Sequence, residues 1–287
     1  MREPSGVGAP AARGEEAAVS TTDDARSGAE ADEAPSVRLA LADEVATITL
    51  SAPGRGNALD AAMLEALEGL LRALPANARV VVLRGAGARA FSTGYHVPSL
   101  VAELEAGPSV SDFARHPLER ALRALEEVAV PTLALVLGNA YGAGCELALA
   151  CDLRVAAEDA RLCMPPARLG VLYSATGMRR LLELCGPAAA KELLFTGAPV
   201  DAQRAAALGL VNRVAPAAHA EAEALALART IAENAPLSLR HTKTIFRRFL
   251  APPPLDDAAL AEVARLREEC FRSDEFKARA ARLARRG

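Results

Sequence analysis

From residue 37 the chain alternates short β-branched runs with longer segments of helical period. Residues 37–42 and 45–50 are rich in Val, Leu, Ile and Thr and are split by Asp43-Glu44, which predicts a hairpin. Over 61–74, Leu64, Leu67, Leu70, Leu71 and Leu74 recur at helical spacing, with Asp60 ahead of them as N-cap. Residues 79–84, containing Val80-Val81-Val82-Leu83, read as a buried strand. A helix at 117–128, a strand at 132–137 and a short helix at 146–151 follow. The alternation continues to about Val214, which predicts an α/β core with partly parallel sheets. Beyond Pro216 the period is helical almost throughout, over 217–232, 237–249 and 256–284, and Ala251-Pro252-Pro253-Pro254 separates the last two. Such helices suit packing on their own core or on another subunit equally well.

Composition adds a boundary and several exclusions. Residues 1–36 carry eight acidic side chains against three Arg, −5 in all, which leaves +2 for the rest of a chain whose formal charge is −3. With almost nothing large to bury, this segment is expected to be a disordered acidic tail. The expected divisions are thus 1–36, 37–215 and 216–287. Hydrophobic residues make up 51% of the 287, so the remainder is globular. Aromatics at 3%, no Trp and no basic field argue against a nucleic-acid binder or an anionic-membrane binder. No apolar run reaches the ~20 residues that a membrane span needs. The five Cys form no CxxC pair and no His-spaced cluster, so no metal site is expected. A cytoplasmic chain fits this cysteine usage best.

Two glycine loops follow strands. Gly85-Ala86-Gly87-Ala88-Arg89-Ala90 matches G-x-G-x-x-A, the dinucleotide fingerprint, which requires a helix to open immediately. Phe91-Ser92-Thr93-Gly94 follows instead and Pro98 interrupts, which argues against that reading. Gly138-Asn139-Ala140-Tyr141-Gly142-Ala143-Gly144-Cys145-Glu146 runs from the 132–137 strand straight into a helix. Its free N–H groups and the helix dipole favour a negative oxygen, although a tight turn with Gly for packing alone explains the same residues.

The ordered set is more specific than either loop. Asn57-Ala58-Leu59, the 81–87 strand and turn, Phe91-Ser92-Thr93-Gly94-Tyr95-His96, Gly142-Ala143-Gly144-Cys145-Glu146 and Cys151-Asp152-Leu153 occur at characteristic separations. With Leu169-Gly170 and Lys191-Glu192-Leu193-Leu194-Phe195-Thr196-Gly197, they make residues 37–250 resemble the crotonase (enoyl-CoA hydratase/isomerase) superfamily. That resemblance implies a spiral of β-β-α units with a helical C-terminal region at 216–287. It also implies a homotrimer or dimer of trimers, with coenzyme A thioesters as substrates and no separate cofactor.

Carried over position by position, the resemblance implies an oxyanion hole formed by the backbone N–H groups of Tyr95 and Ala143. Fixed donors there stabilise the enolate that forms when the carbon beside a thioester reacts. Ala58, Gly94, Gly142 and Pro166 would line the acyl-CoA, and Arg55 would face its phosphates. Lys243 and Arg247 are weaker phosphate candidates. The superfamily's hydratases use two glutamates; the first matches Glu146 and the second falls on Pro166, which moves no proton. The stretch 164–173 is similar to that of methylmalonyl-CoA decarboxylases, including Tyr173, although His96 stands where those enzymes have Asp.

The leading expectation is therefore a lyase that decarboxylates a malonyl- or methylmalonyl-type thioester. Tyr173 would orient the carboxylate, and Glu146 or His96 would handle the proton. The alternatives are an enoyl-CoA hydratase or isomerase working through Glu146 alone, and a non-catalytic acyl-CoA-binding subunit. Each residue also has a plainer role: Glu146 as a solvated helix-terminal glutamate, Tyr173 as a packed wall, His96 as an exposed loop residue. His116, His219 and His241 read as structural or surface residues, and Cys145 as a small buried apolar side chain.

Overall fold

The computed structural model describes residues 34–105, 115–250 and 257–284. Most of the expected acidic tail, up to residue 33, and the proline break at 251–254 lie outside the described residues.

The hairpin forms where the polar dipeptide predicted it. β1 (Ser36–Ala42) runs antiparallel to β2 (Val45–Ser51), with Ala42 opposite Val45. Asp43 and Glu44 take φ of 49° and 61°, so the turn has the two positive φ values that match the twist of the strands. Ser36 already pairs with Ser51, one residue ahead of the boundary drawn at 37. Asp60 caps α1 (Ala61–Arg72) by accepting from Met63 N at 3.0 Å.

β2, β3 (Val80–Gly85), β5 (Thr132–Val136), β7 (Leu153–Ala157) and β10 (Arg213–Ala215) are parallel neighbours in a six-stranded sheet of order β1-β2-β3-β5-β7-β10. Both faces of its central strands are covered, which explains why 80–83 shows no polar alternation. Val81 and Leu83 enter the main core, while Val80 and Val82 face a second apolar cluster. A smaller sheet has the order β4 (Ala90–Ser92), β6 (Asn139–Tyr141), β8 (Arg161–Cys163), β9 (Val200–Asp201).

Three times a strand of the large sheet leads directly into one of the small sheet: β3 to β4, β5 to β6 and β7 to β8. Helices complete each unit. α2 (Val97–Glu105) and α3 (Pro117–Glu127) follow β4, and α4 (Ala143–Ala150) follows β6. α5 (Pro166–Leu169) and α6 (Ala175–Thr196) follow β8, with α7 (Ala202–Ala207) after β9. This is the β-β-α spiral that the resemblance implied.

The structure corrects the sequence reading at several elements. The 132–137 strand does not run straight into a helix, because β6 intervenes; three residues are too few to display an alternation. Pro98 interrupts nothing: it sits in the first turn of α2, where its missing N–H has no partner to lose. The helix expected over 256–284 is two, α10 (Asp257–Arg272) and α11 (Asp274–Ala284). Ser273 divides them and caps α11 by accepting from Phe276 N at 3.0 Å. Continuous Ala, Leu and Arg periodicity hid that cap.

The C-terminal region is not one unit in its packing. α8 (Ala220–Glu233) belongs to the core, with Ala224, Ala228, Ile231 and Ala232 against Val45, Val80, Val82 and Leu133. α9 (Pro236–Leu250) instead exposes Leu237, Ile245, Phe246, Phe249 and Leu250. No described helix is long and apolar enough to cross a membrane.

Candidate active site

The decoy fingerprint is filled from within. Asn57, buried and at φ 57°, donates through Nδ2 to Ala86 O (3.0 Å) and Ala90 O (2.8 Å), and its Oδ1 accepts from Ala52 N (3.0 Å). The 85–90 loop thus closes on a side-chain amide and leads into β4, with no helix opening behind it.

The two turns assigned to an oxyanion hole lie against each other. Leu59 bridges Tyr95, donating to Gly94 O at 2.8 Å and accepting from His96 N at 2.7 Å. Alternation along extended backbone turns the Tyr95 N–H the other way. Gly94, at φ 102°, is pressed against the second turn: a Cβ there would lie 2.8 Å from Tyr141 O and 3.6 Å from Ala143 N. Gly142, at φ 52°, opens α4 and donates to Cys163 O at 2.9 Å. Ala143 N is therefore among the first N–H groups of a helix, which have no intrahelical acceptor and sit at its positive end. The Tyr173 hydroxyl lies beside this turn, 3.6 Å from where a Cβ on Gly142 would be.

Glu146, one turn into α4, is only 4% exposed, and its Oε1 is buried without a hydrogen-bond partner. It is not the solvated helix-terminal glutamate that its position allows. Burial pushes its carboxyl up to about 7; Arg180 opposes the rise, Glu119 adds to it, and Arg267 also opposes it. Its Oε1 faces the first turn of α6, where a Cβ on Gly177 would lie 2.3 Å away.

Three charged residues beside Glu146 escaped sequence reasoning. Glu119 of α3 is buried; its Oε2 accepts from Thr176 Oγ1 at 2.8 Å and its Oε1 has no partner. Arg180 of α6 binds Glu126 Oε1 through Nε and Nη2, leaving Nη1 buried and unpartnered. Arg267 of α10 donates to Leu172 O at 3.1 Å, and burial lowers its guanidinium to about 10. Glu119 did carry a signal: it lies among the buried Leu118, Ala121, Leu122 and Leu125 on the apolar face of α3, where a carboxylate needs a reason.

The other sequence candidates separate in space. Tyr95 directs its phenol to Glu103 Oε1 (2.8 Å), and Glu103 also pairs with His116 Nε2 (3.5 Å). His116 caps α3 by accepting from Leu118 N. His96 Nδ1 bonds Ser99 Oγ at 2.8 Å, and burial and then Arg55 lower its pKa, so it is neutral at pH 7. Arg55 pairs with Asp60 at 3.1 Å and stays partly exposed. Ala58 and Pro166 are buried, Pro166 opening α5. Burial pushes the Cys145 thiol up, out of the nucleophilic range. Among the described residues no group of three or more His, Cys, Asp or Glu gathers as metal ligands.

Lys243 is corrected from phosphate candidate to structural cation. Its buried Nζ donates to Asp152 Oδ2 (2.7 Å), Val130 O (3.1 Å) and Leu125 O (3.4 Å). Lys243→Met is expected to cost roughly 2–4 kcal/mol in urea unfolding while KM for an acyl-CoA is unchanged. A raised KM at full stability would return Lys243 to the binding surface. Arg247 pairs with Glu127 at 3.7 Å on the surface, a contact of little energetic weight.

Comparison with known proteins identifies the family. The sequence profile described as enoyl-CoA hydratase/isomerase matches residues 41–284. The 2,3-dehydroadipyl-CoA hydratase of Escherichia coli is 36% identical over 205 residues, 71% of this chain and 78% of that one. The short-chain-enoyl-CoA hydratase of Clostridium acetobutylicum is 31% identical over 237 residues, 82% and 88% of the two chains. Among solved structures, methylmalonyl-CoA decarboxylase superposes with a TM-score of 0.79 at 26% identity, covering 87% of this chain and 95% of that one. Similarity to the decarboxylase is real, yet relatives at 31–42% identity carry hydratase names. Those names overturn the expectation that decarboxylation outranks hydration, which rests on Pro166, Tyr173 and the likeness of the stretch around them. By profile, by sequence and by fold, the chain belongs to the enoyl-CoA hydratase/isomerase family of the crotonase superfamily.

Proposed function

We propose that the protein is an acyl-CoA enzyme that hydrates a 2-enoyl-CoA through a thioester enolate, with Glu146 as its acid/base. The observation that carries this reading is the buried Glu146 carboxyl, poised at about 7 one turn behind Ala143 N. A group with that pKa exchanges its proton readily at neutral pH. In the addition step, one water O–H bond breaks and its proton goes to the Glu146 carboxylate. A C–O bond forms at the β-carbon, and the C=C pair moves into the thioester as an enolate. The N–H groups of Tyr95 and Ala143 hold the enolate oxygen until Glu146 returns the proton to the α-carbon.

The Tyr173 hydroxyl, beside the Gly142 turn, bounds the acyl pocket with Ala58, Gly94 and Pro166. Arg55, partly exposed next to His96, is the cation for the phosphates. The names of the relatives support hydration, and the unpartnered Glu146 Oε1 supports a role for that carboxylate beyond structure. The exposed apolar residues of α9 support the homo-oligomer that the family resemblance implies.

Incubation with crotonyl-CoA, a 3-enoyl-CoA and methylmalonyl-CoA tests the reading. Formation of 3-hydroxybutyryl-CoA upholds it. Isomerisation of the 3-enoyl-CoA without hydration leaves Glu146 in place but changes the reaction. Tight binding with no turnover of any of the three overturns catalysis altogether.

A further inference from the structure

Position 166, where a second carboxylate was sought, holds proline, yet a second buried acid reaches the site from another helix. We propose that Glu119 of α3 is a positioning residue for catalysis, a buried carboxylate set against the same helix turn as Glu146 so that Glu146 readily takes up a proton. The proposal rests on the enolate chemistry assigned above to Glu146.

The geometry lies in the first turn of α6. Gly177 N donates to Ser174 Oγ at 3.0 Å, and Ser174 Oγ and Thr176 Oγ1 are 2.8 Å apart. The single hydroxyl proton of Thr176 goes to Glu119 Oε2, so Ser174 must donate to Thr176. This relay fixes one oxygen of Glu119 and leaves Oε1 buried and free. Glu146 Oε1, also buried and free, lies against the Cα of Gly177 in the same turn. Two carboxylates with unpartnered oxygens inside the protein cannot both stay charged cheaply.

The other charged and titratable groups around Glu146 leave that coupling in place. Arg267 from α10 acts on both acids, Arg180 from α6 acts on Glu146, and the charge of Glu119 acts on Glu146 and on His116. Tyr173 faces Glu146 as a protonated phenol, its ionisation suppressed by burial and by that carboxylate. Neither arginine is dedicated to one acid: Arg180 is held mainly by Glu126, and Arg267 also serves Leu172 O. In the addition step the charged Glu146 takes the proton from water. Glu146 then returns that proton to the α-carbon, so the two acids hold the same number of protons before and after the cycle. No group beyond water and the enoyl thioester is consumed.

The test is Glu119→Gln, checked for folding by its thermal melt. The side-chain carboxyl of Glu146 is titrated by 13C NMR on glutamate-labelled protein, alongside kcat against pH for crotonyl-CoA. Removing the negative charge of Glu119 is expected to lower the Glu146 midpoint by at least half a unit. The acid limb of the kcat profile should move to lower pH with it, and kcat on the plateau above that limb should fall about twofold or more, because a weaker base then takes the proton from water. Thr176→Val, which keeps Glu119 but removes its hydroxyl donor, should move the same midpoint downward by less. An unmoved Glu146 titration in Glu119→Gln overturns the coupling. A moved titration with kcat and its pH profile unaltered overturns the role in catalysis. Should the wild type hydrate no enoyl-CoA, the assignment of the reaction fails, and the titration alone then decides whether Glu119 acts on Glu146.

Discussion

Glu146→Gln is expected to lower kcat for enoyl-CoA hydration by about 10²–10⁴-fold, with KM little changed. The amide keeps the shape of the side chain in its buried slot on α4 but can neither take a proton from water nor return one. For the wild type, kcat/KM should rise through pH about 7 as Glu146 ionises, because its carboxyl titrates there. Steady-state rates from pH 5 to 9 check both statements, and a variant retaining more than a tenth of the wild-type kcat would remove Glu146 from the chemistry. Stability should respond in the opposite direction. A carboxyl raised from the ordinary glutamate value of 4.5 to about 7 binds its proton more tightly in the folded state than in the unfolded one. Folded stability is therefore lost as pH rises from about 4.5 to 7 and is flat above, by roughly 3 kcal/mol in total. Urea unfolding of Glu146→Gln should lack that decline.

Gly144→Ala is the second large effect, and it acts through backbone. A methyl at 144 would lie 2.5 Å from Ser92 O and 2.6 Å from Ser92 Cβ, so α4 must back away from β4. The same Ser92 accepts from Gly94 N through its hydroxyl at 3.2 Å. One added carbon therefore disturbs the turn before Tyr95 and the helix end that carries Ala143. Loss of one such donor is expected to reduce kcat about 10²–10³-fold, and overpacking should cost about 1–3 kcal/mol. Gly69→Ala on α1 is the control, since nothing lies within 4 Å of its added carbon. It should stabilise by about 0.5–1 kcal/mol and leave kcat alone. Equal kinetics in the two variants would mean that the Ser92 contact does not set the donor geometry.

The residues that the sequence made legible are those whose period or spacing is local. The hairpin, the Asp60 cap, the Val80–Leu83 strand and the Gly142 turn each carry their signal within a few residues. Glu146 was legible for the same reason, being bound to a short ordered motif. Glu119, Arg180 and Arg267 were not, because three separate helices bring them to Glu146 and no spacing along the chain records it. Lys243 looked like a surface cation until Asp152 and two carbonyls were seen around it. The fingerprint at 85–90 misled in the opposite direction, since its glycine pattern serves a turn closed by Asn57. The cap at Ser273 was visible in the letters but drowned by a stronger helical period.

Arg267 gives the arrangement a consequence in time. The cation that tempers both acids sits on α10, after almost the whole of both sheets has been made. A ribosome-bound chain that has released residues up to 250 has its carboxylates and both turns but lacks that guanidinium. Such an intermediate should carry a Glu146 more strongly protonated than that of the finished protein. Competence for turnover thus arrives with the last helices to be synthesised, well after the strands that shape the pocket.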